Sequence, residues 1–195
     1  PEVLRLLGSI CGQSGRLDQA AWYLEQAVDA DPSVAEAHYN LGVVRRQQGR
    51  TPEAIDAWTQ ATRANPTHAS SWFNRGIALI DLDRLEEART SLTAAIDAEP
   101  EHVNARHQLG LLEHTSGNFN EAATQWLAAA ELEHESWSHW HNAASALMDA
   151  ERFDEAYNAF AAALTVNPRS ATTLSSLAVL ERRRGRLEQA EQLAR

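Results

Sequence analysis

The chain has 195 residues, 44% of them hydrophobic, one cysteine and a formal net charge of -10. That charge argues against nucleic acid, whose phosphates need clustered cations, and a lone cysteine excludes an intramolecular disulfide. No apolar run approaches the roughly eighteen residues of a membrane span, and no cationic leader precedes an apolar core, so a structured chain without a span or leader is expected.

Taken from its first residue, the sequence repeats itself every 34 positions, with units starting at Pro1, Ala35, Ala69, Val103, Trp137 and Ala171 and no insertion between them. A fixed period of this size is that of a solenoid, which grows by adding units, so residues 1–195 are expected to form a single domain. Each unit predicts a first helix, A, over about positions 2–14, a turn, and a second helix, B, over about positions 18–31. The turn carries Gly15, Gly49, Gly117 or Gly185 in four of the units. In the first unit the lone Cys11 falls at a packing position and reads as a small buried hydrophobe, which fits a reducing compartment. Helix B opens with an acidic residue in each unit, Asp18, Glu53, Glu86, Glu121, Asp154 and Glu188, which suits the positive end of a helix dipole. It is expected to stop ahead of Pro32, Pro66, Pro100 and Pro168, because proline disfavours helical geometry in the residue before it. Ser33 with Glu36 reads as a capping box for the following helix. The fifth unit opens with Trp137 beside His134, which stands where the other units have proline. The sixth unit stops at Arg195 inside its second helix, so the chain is expected to be a segment of a longer protein.

Within the units, position 8 is Gly8, Gly42, Gly76, Gly110, Ala144 and Ala178, and position 20 is always alanine, from Ala20 to Ala190. Position 27 is Ala27, Ala61, Ala95, Ala129 and Ala163, and position 24 is Leu24, Trp58, Leu92, Trp126 and Phe160 before Ala194 breaks the run. Small residues let two helices approach and large ones fill the space between neighbouring pairs. This pattern resembles the tetratricopeptide repeat family along the whole chain. The resemblance implies an all-α fold, a right-handed superhelical solenoid of helix-turn-helix repeats. Departures are Arg75 at position 7, Arg106 at position 4 and the charges Arg45, Glu113 and Glu181 at position 11, which are expected at the rim with their stems buried. Trp58, Trp126, Trp72 and Trp140 are expected between helices; that rule does not cover Trp22 and Trp137, and for Trp137 packing is favoured over a local distortion or a contact site.

No glycine-rich phosphate loop, nucleophile elbow, paired-cysteine zinc spacing or zincin motif occurs, so no catalytic residue is expected and the chain reads as a non-enzyme. Of the eight histidines, His107 and His114 stand two helical turns apart, about 10 Å along the axis, where ligand pairs on one helix use three or four residues; no metal site and no cofactor are expected. Arg182, Arg183, Arg184 and Arg186 read as cations at a helix end rather than as a phosphate site. All seventeen basic residues are arginine, a bias expected of a GC-rich bacterial genome.

The family resemblance implies that positions 2, 5, 6, 9, 12 and 13 of helix A line a concave groove. Position 6 there is Asn40, Asn74, Gln108 and Asn142, position 5 is Tyr39, Phe73, His107 and His141, and position 9 adds Val43, Ile77 and Leu111. Side-chain amides donate and accept, so such a ladder can satisfy a peptide backbone without reading its sequence; inheritance of the ladder within the family is the competing explanation. The expected function is a protein-interaction scaffold binding an extended peptide or a partner's surface in this groove. Two other readings stay open: the substrate-recognition arm of an enzyme resembling the protein O-linked N-acetylglucosamine transferases, and a self-assembling structural protein whose chains stack end to end. A carboxylate clamp of the kind found in chaperone-binding relatives is not expected, since the chain lacks lysine. The expected compartment is the cytoplasm, with the periplasm left open.

Overall fold

The structure, a computed structural model, describes residues 1–193. Ala194, which breaks the position-24 pattern, and Arg195, where the chain stops, lie outside the described residues. Among the described residues there are twelve helices and no strand, and no helix is long and apolar enough to cross a membrane. The architecture is an all-α helical repeat solenoid. Two compact units divide it, one running from Pro1 to His102 and one starting at Val103.

The first unit holds α1 (Glu2–Gln13), α2 (Leu17–Ala30), α3 (Ala35–Gln47), α4 (Thr51–Ala64), α5 (Ala69–Asp81) and α6 (Leu85–Ala98), each packed on the next. The second holds α7 (Val103–Thr115), α8 (Phe119–Leu132), α9 (Trp137–Asp149), α10 (Phe153–Val166), α11 (Ala171–Arg183) and α12 (Leu187–Leu193), again in sequential contact. Odd-numbered helices are the A helices of the 34-residue repeat and even-numbered ones the B helices.

The turn between A and B is the same in every repeat. In the first, the Gly15 amide donates to Gly12 O at 3.0 Å and the Arg16 amide to Cys11 O at 2.9 Å, the paired bonds of a Schellman motif that satisfy the last carbonyls of α1. This turn needs a left-handed residue. Gly15, Gly49, Gly117 and Gly185 supply it, and where glycine is missing Asp83 (φ 57°) and Glu151 (φ 59°) are held in the same conformation. Helix B then stops as the prolines predict, with Asp31 at φ -154°, ψ 95° ahead of Pro32. Glu133 is extended too, at φ -117°, ψ 74°, although His134 replaces proline, so tertiary packing sets this boundary without help from proline.

Ser33 does not form the expected capping box. The residue flanking α3 is Val34, with no side-chain cap, and both the amide and the hydroxyl of Ser33 donate to Asp31 Oδ1, at 3.0 and 2.7 Å. A carboxylate two residues back outcompetes the helix end for the serine.

The core lies where the small residues let the helices touch. Ala20, Ala54, Ala88, Ala122 and Ala156 are fully buried, as are Ala27, Ala61, Ala95, Ala129 and Ala163. Trp58 and Trp126 fill the space over Gly42 and Gly110, and their indole N–H groups donate to Tyr39 O and His107 O, each at 3.2 Å. Cys11 is buried in the α1–α3 cluster. Trp22, which the packing rule does not cover, is 55% exposed, with Tyr23 edge-on at 5.0 Å. Trp72 and Trp140 are half-buried.

Of the charges expected at the rim, Glu113 and Glu181 are inside, whereas Arg45, Arg75 and Arg106 are half-buried. Glu181 is 1% exposed and pairs with Arg184 at 3.2 Å and Arg186 at 3.5 Å. Glu113 is buried and accepts from Asn118 Nδ2 at 2.7 Å, while Arg45 pairs with Glu25 of the preceding helix. Arg75 donates to Thr59 Oγ1 at 3.1 Å and Ser91 Oγ at 2.5 Å. Partners stand around each of these four charges, which lowers the cost of desolvation for the buried Glu113 and Glu181 above all.

Candidate functional site

In the first unit the two amides of the ladder are each tied to the preceding repeat. Asn40 on α3 donates from Nδ2 to Ser9 Oγ on α1 at 3.2 Å, and Asn74 on α5 donates from Nδ2 to Tyr39 Oη on α3 at 3.3 Å. Each bond uses one amide hydrogen; among the described residues neither side chain has a further hydrogen-bond partner, so a second hydrogen and the carbonyl oxygen stay available. Both side chains are half-buried. Beside Asn40 lies a cleft of about 190 Å³ bounded by Ser9, Gly12, Asn40, Val43 and Gln47. Gly12 lets the floor open here, since it has no side chain to fill it. Ser9, Gly12, Gln13 and Gln47 were absent from the sequence-predicted site, although Ser9 is visible as the hydroxyl standing where later repeats carry Val43 and Ile77.

The aromatic residues next to the amides are braced. The Tyr39 ring lies 5.0 Å from His68 and the Phe73 ring 4.9 Å from His102. His68 is itself held, with Nδ1 accepting from the Ser71 amide at 3.2 Å and Nε2 at 3.1 Å from Glu36. Neither histidine was a sequence candidate. The signal was their recurrence 34 residues apart at the last position of the repeat.

In the second unit, α7 carries His107, Gln108 and Leu111, and α9 carries His141 and Asn142. Leu111 is exposed and the other four are half-buried. His107 lies 5.3 Å from His139 and 6.4 Å from Trp126, ring to ring. His141 lies 5.6 Å from Phe160 and 5.9 Å from Trp137, with Nδ1 3.2 Å from Thr173 Oγ1. Burial holds both imidazoles below the usual histidine range, and the neighbouring His139 lowers His107 further. The two histidines are therefore neutral at pH 7 and present aromatic faces. Met148 stands at position 12, which the family resemblance assigns to the groove, but it is 8% exposed and belongs to the core cluster around Phe160.

Charges along this edge cancel locally. Arg46 pairs with Asp81 at 2.9 Å in the first unit, and Asp149 meets His114 at 3.1 Å and Arg183 at 3.8 Å in the second. Among the described residues no group of three or more His, Cys, Asp or Glu side chains could hold a metal ion. In the first unit these positions offer two side-chain amides, the hydroxyls of Ser9 and Tyr39 and aromatic rings.

Solved structures share this architecture. MamA superposes with a TM-score of 0.75 at 21% identity, over 88% of this chain and 93% of MamA. YrrB, a TPR protein with an unusual peptide-binding site, superposes with a TM-score of 0.73 at 22% identity, over 89% of each chain. PilF of Pseudomonas aeruginosa gives 0.68 at 23% identity, over 98% of this chain and 87% of its own. No curated protein matches by sequence. The tetratricopeptide repeat model matches residues 6–69, 44–92, 73–138 and 141–195, and with the repeated Gly/Ala, Ala and Pro positions accounted for by helix packing, the chain belongs to the tetratricopeptide repeat family.

Proposed function

We propose that the chain is a non-catalytic protein-interaction scaffold that binds an extended, uncharged peptide segment along the A-helix positions carrying the amides. The observation behind it is the tethering of Asn40 and Asn74: each amide is oriented by one hydrogen bond to the preceding repeat and keeps a donor and an acceptor. Packed helices lie roughly 8 to 10 Å apart and an extended chain advances about 3.3 Å per residue, so successive amides meet a peptide about every third residue. Tyr39, Phe73, Val43 and Ile77 would set side-chain preference in the first unit, and His107, His141, Gln108, Leu111 and Asn142 would do so in the second. The presence of a peptide-binding site in YrrB, which has this fold, is consistent with that use. Neutralisation of Arg46 by Asp81 weighs against acidic C-terminal peptides.

The test is calorimetric titration of a display-selected peptide against wild type and an Asn40→Ala, Asn74→Ala double variant. Loss of about 1 to 3 kcal/mol per amide is expected with the melting temperature little changed, because a peptide group left unpaired costs that much. Unchanged affinity in a folded double variant refutes the amide-ladder reading.

A further inference from the structure

Outside the amide-bearing positions, the third and fifth repeats share a Trp, an Arg and a Glu at matching places, but the fifth lacks the cation of the third and the two hydroxyls that hold it, since Ala143, Ala159 and Leu127 stand where Arg75, Ser91 and Thr59 do. In the third repeat the Arg75 guanidinium lies 5.8 Å from the Trp72 ring centroid. It donates to Thr59 Oγ1 at 3.1 Å and Ser91 Oγ at 2.5 Å and stands 3.9 Å from the Glu87 carboxylate. Glu87 is gripped in turn by Arg84, at 2.7 and 2.8 Å, which holds its carboxyl below the usual range.

One double period later, Trp140, Glu155 and Arg152 occupy the places of Trp72, Glu87 and Arg84. Arg152 grips Glu155 at 2.8 and 2.7 Å, the same fork with the same effect on the carboxyl. The place of Arg75, however, is taken by Ala143, and that of Ser91 by Ala159. The space that a guanidinium fills in the third repeat is open in the fifth: a cleft of about 250 Å³ lined by Trp140, Leu127, Leu147, Glu155, Asn158 and Ala159.

We propose that this cleft receives an arginine side chain from a protein partner, which restores in trans the cation that Arg75 supplies within the chain. The Trp140 face stacks on the guanidinium, as Trp72 does on Arg75. Glu155, more than half exposed beside Arg152, and the Asn158 carbonyl accept its N–H groups in place of the two hydroxyls. Leu127 and Leu147 contact the aliphatic stem. Lysine fits less well, because its compact, strongly hydrated ammonium gains little from a flat ring and a single planar acceptor set. The overall charge of -10 favours approach of a cationic segment.

The experiment follows the Trp140 indole N–H resonance of the ¹⁵N-labelled chain, assigned with Trp140→Phe, during titration with N-acetyl-arginine amide, the lysine analogue and the leucine analogue. A saturable millimolar shift is expected with the arginine probe, a weaker one with lysine and none with leucine. Glu155→Gln should weaken arginine binding at least about threefold, and Ala143→Arg, which fills the cleft from inside, should abolish it. If Ala143→Arg fails to fold, Glu155→Gln decides alone, since its side chain supports no core. No saturable shift with arginine, leucine binding as tightly as arginine, or insensitivity to Glu155→Gln overturns the proposal.

Discussion

Replacing Gly42 with alanine should destabilise the first unit even though alanine is the better helix former. A Cβ built on Gly42 would lie 2.5 Å from Trp58 Nε1, 2.6 Å from Cδ1 and 2.7 Å from Cε2. Carbon contacts favour about 3.5 to 4.0 Å, so the indole must retreat by about 1 Å. It has nowhere to go, being 1% exposed and hydrogen-bonded to Tyr39 O. Overpacking costs about 1 to 3 kcal/mol, loss of the indole bond about 1 more, and the gain in helix propensity returns about 1. A net loss of about 1 to 3 kcal/mol follows. The fifth repeat shows how the conflict is relieved, since Ala144 and Phe160 hold the equivalent positions there in one buried cluster. Gly42→Ala combined with Trp58→Phe should therefore be less destabilised than the sum of the single changes by at least about 1 kcal/mol. Urea unfolding of the four proteins in the double-mutant cycle measures this. Additivity within about 0.5 kcal/mol would refute the argument that Trp58 dictates glycine at position 42.

Three further outcomes can be checked by thermal melts. Glu151→Gly should stabilise by about 1 kcal/mol, the approximate cost of holding an L-residue in the left-handed region, because Glu151 has φ 59° and an exposed side chain; a lower melting temperature would contradict it. Gly12→Ala should stabilise by about 0.5 to 1 kcal/mol, since its Cβ would meet only Val44 Cγ2 at 3.5 Å and Ala20 Cβ at 3.8 Å; destabilisation would show that this wall cannot relax. Stability should fall as pH drops through the ordinary histidine range: His107 and His141 have folded-state pKa values lowered by burial, so the unfolded chain takes up their protons first. His107→Gln with His141→Gln should flatten that slope, and an unchanged slope would assign the loss to other groups.

The repeat frame was legible because its determinants are local and recur: a small residue where helices touch, an alanine opposite it, a proline after the second helix. Ten of the eleven residues that the family resemblance assigns to a groove are half-buried and Leu111 is exposed, a burial that does not by itself distinguish a binding face from a packed edge. What escaped the sequence depends on partners from other elements. Glu181 looks like a rim charge until the turn folds Arg184 and Arg186 back onto it, and Arg75 looks like an intruder until Thr59, Ser91 and Trp72 surround it. The tethers from Asn40 to Ser9 and from Asn74 to Tyr39 cross from one repeat to the next, which no period reveals. The open cleft at Trp140 is likewise invisible from the fifth repeat alone and becomes meaningful beside the third.

The same comparison between repeats couples core to surface. Trp58 and Trp126 donate to the carbonyls of Tyr39 and His107, so in the second and fourth repeats the backbone beneath the position-5 ring is held by a buried indole. In the third and fifth repeats Leu92 and Phe160 occupy that core position and have no donor to offer. Phe73 is braced by the ring of His102, and His141 by the rings of Trp137 and Phe160 and by its Nδ1 contact with Thr173 Oγ1. Position-5 carbonyls with and without an indole donor therefore alternate from the second repeat to the fifth. A rigid contact costs less ordering entropy on binding than a mobile one, so under the proposed peptide-binding role Tyr39→Ala should cost more affinity than Phe73→Ala in the same titration, and an equal cost would remove the indole bond to Tyr39 O from the argument.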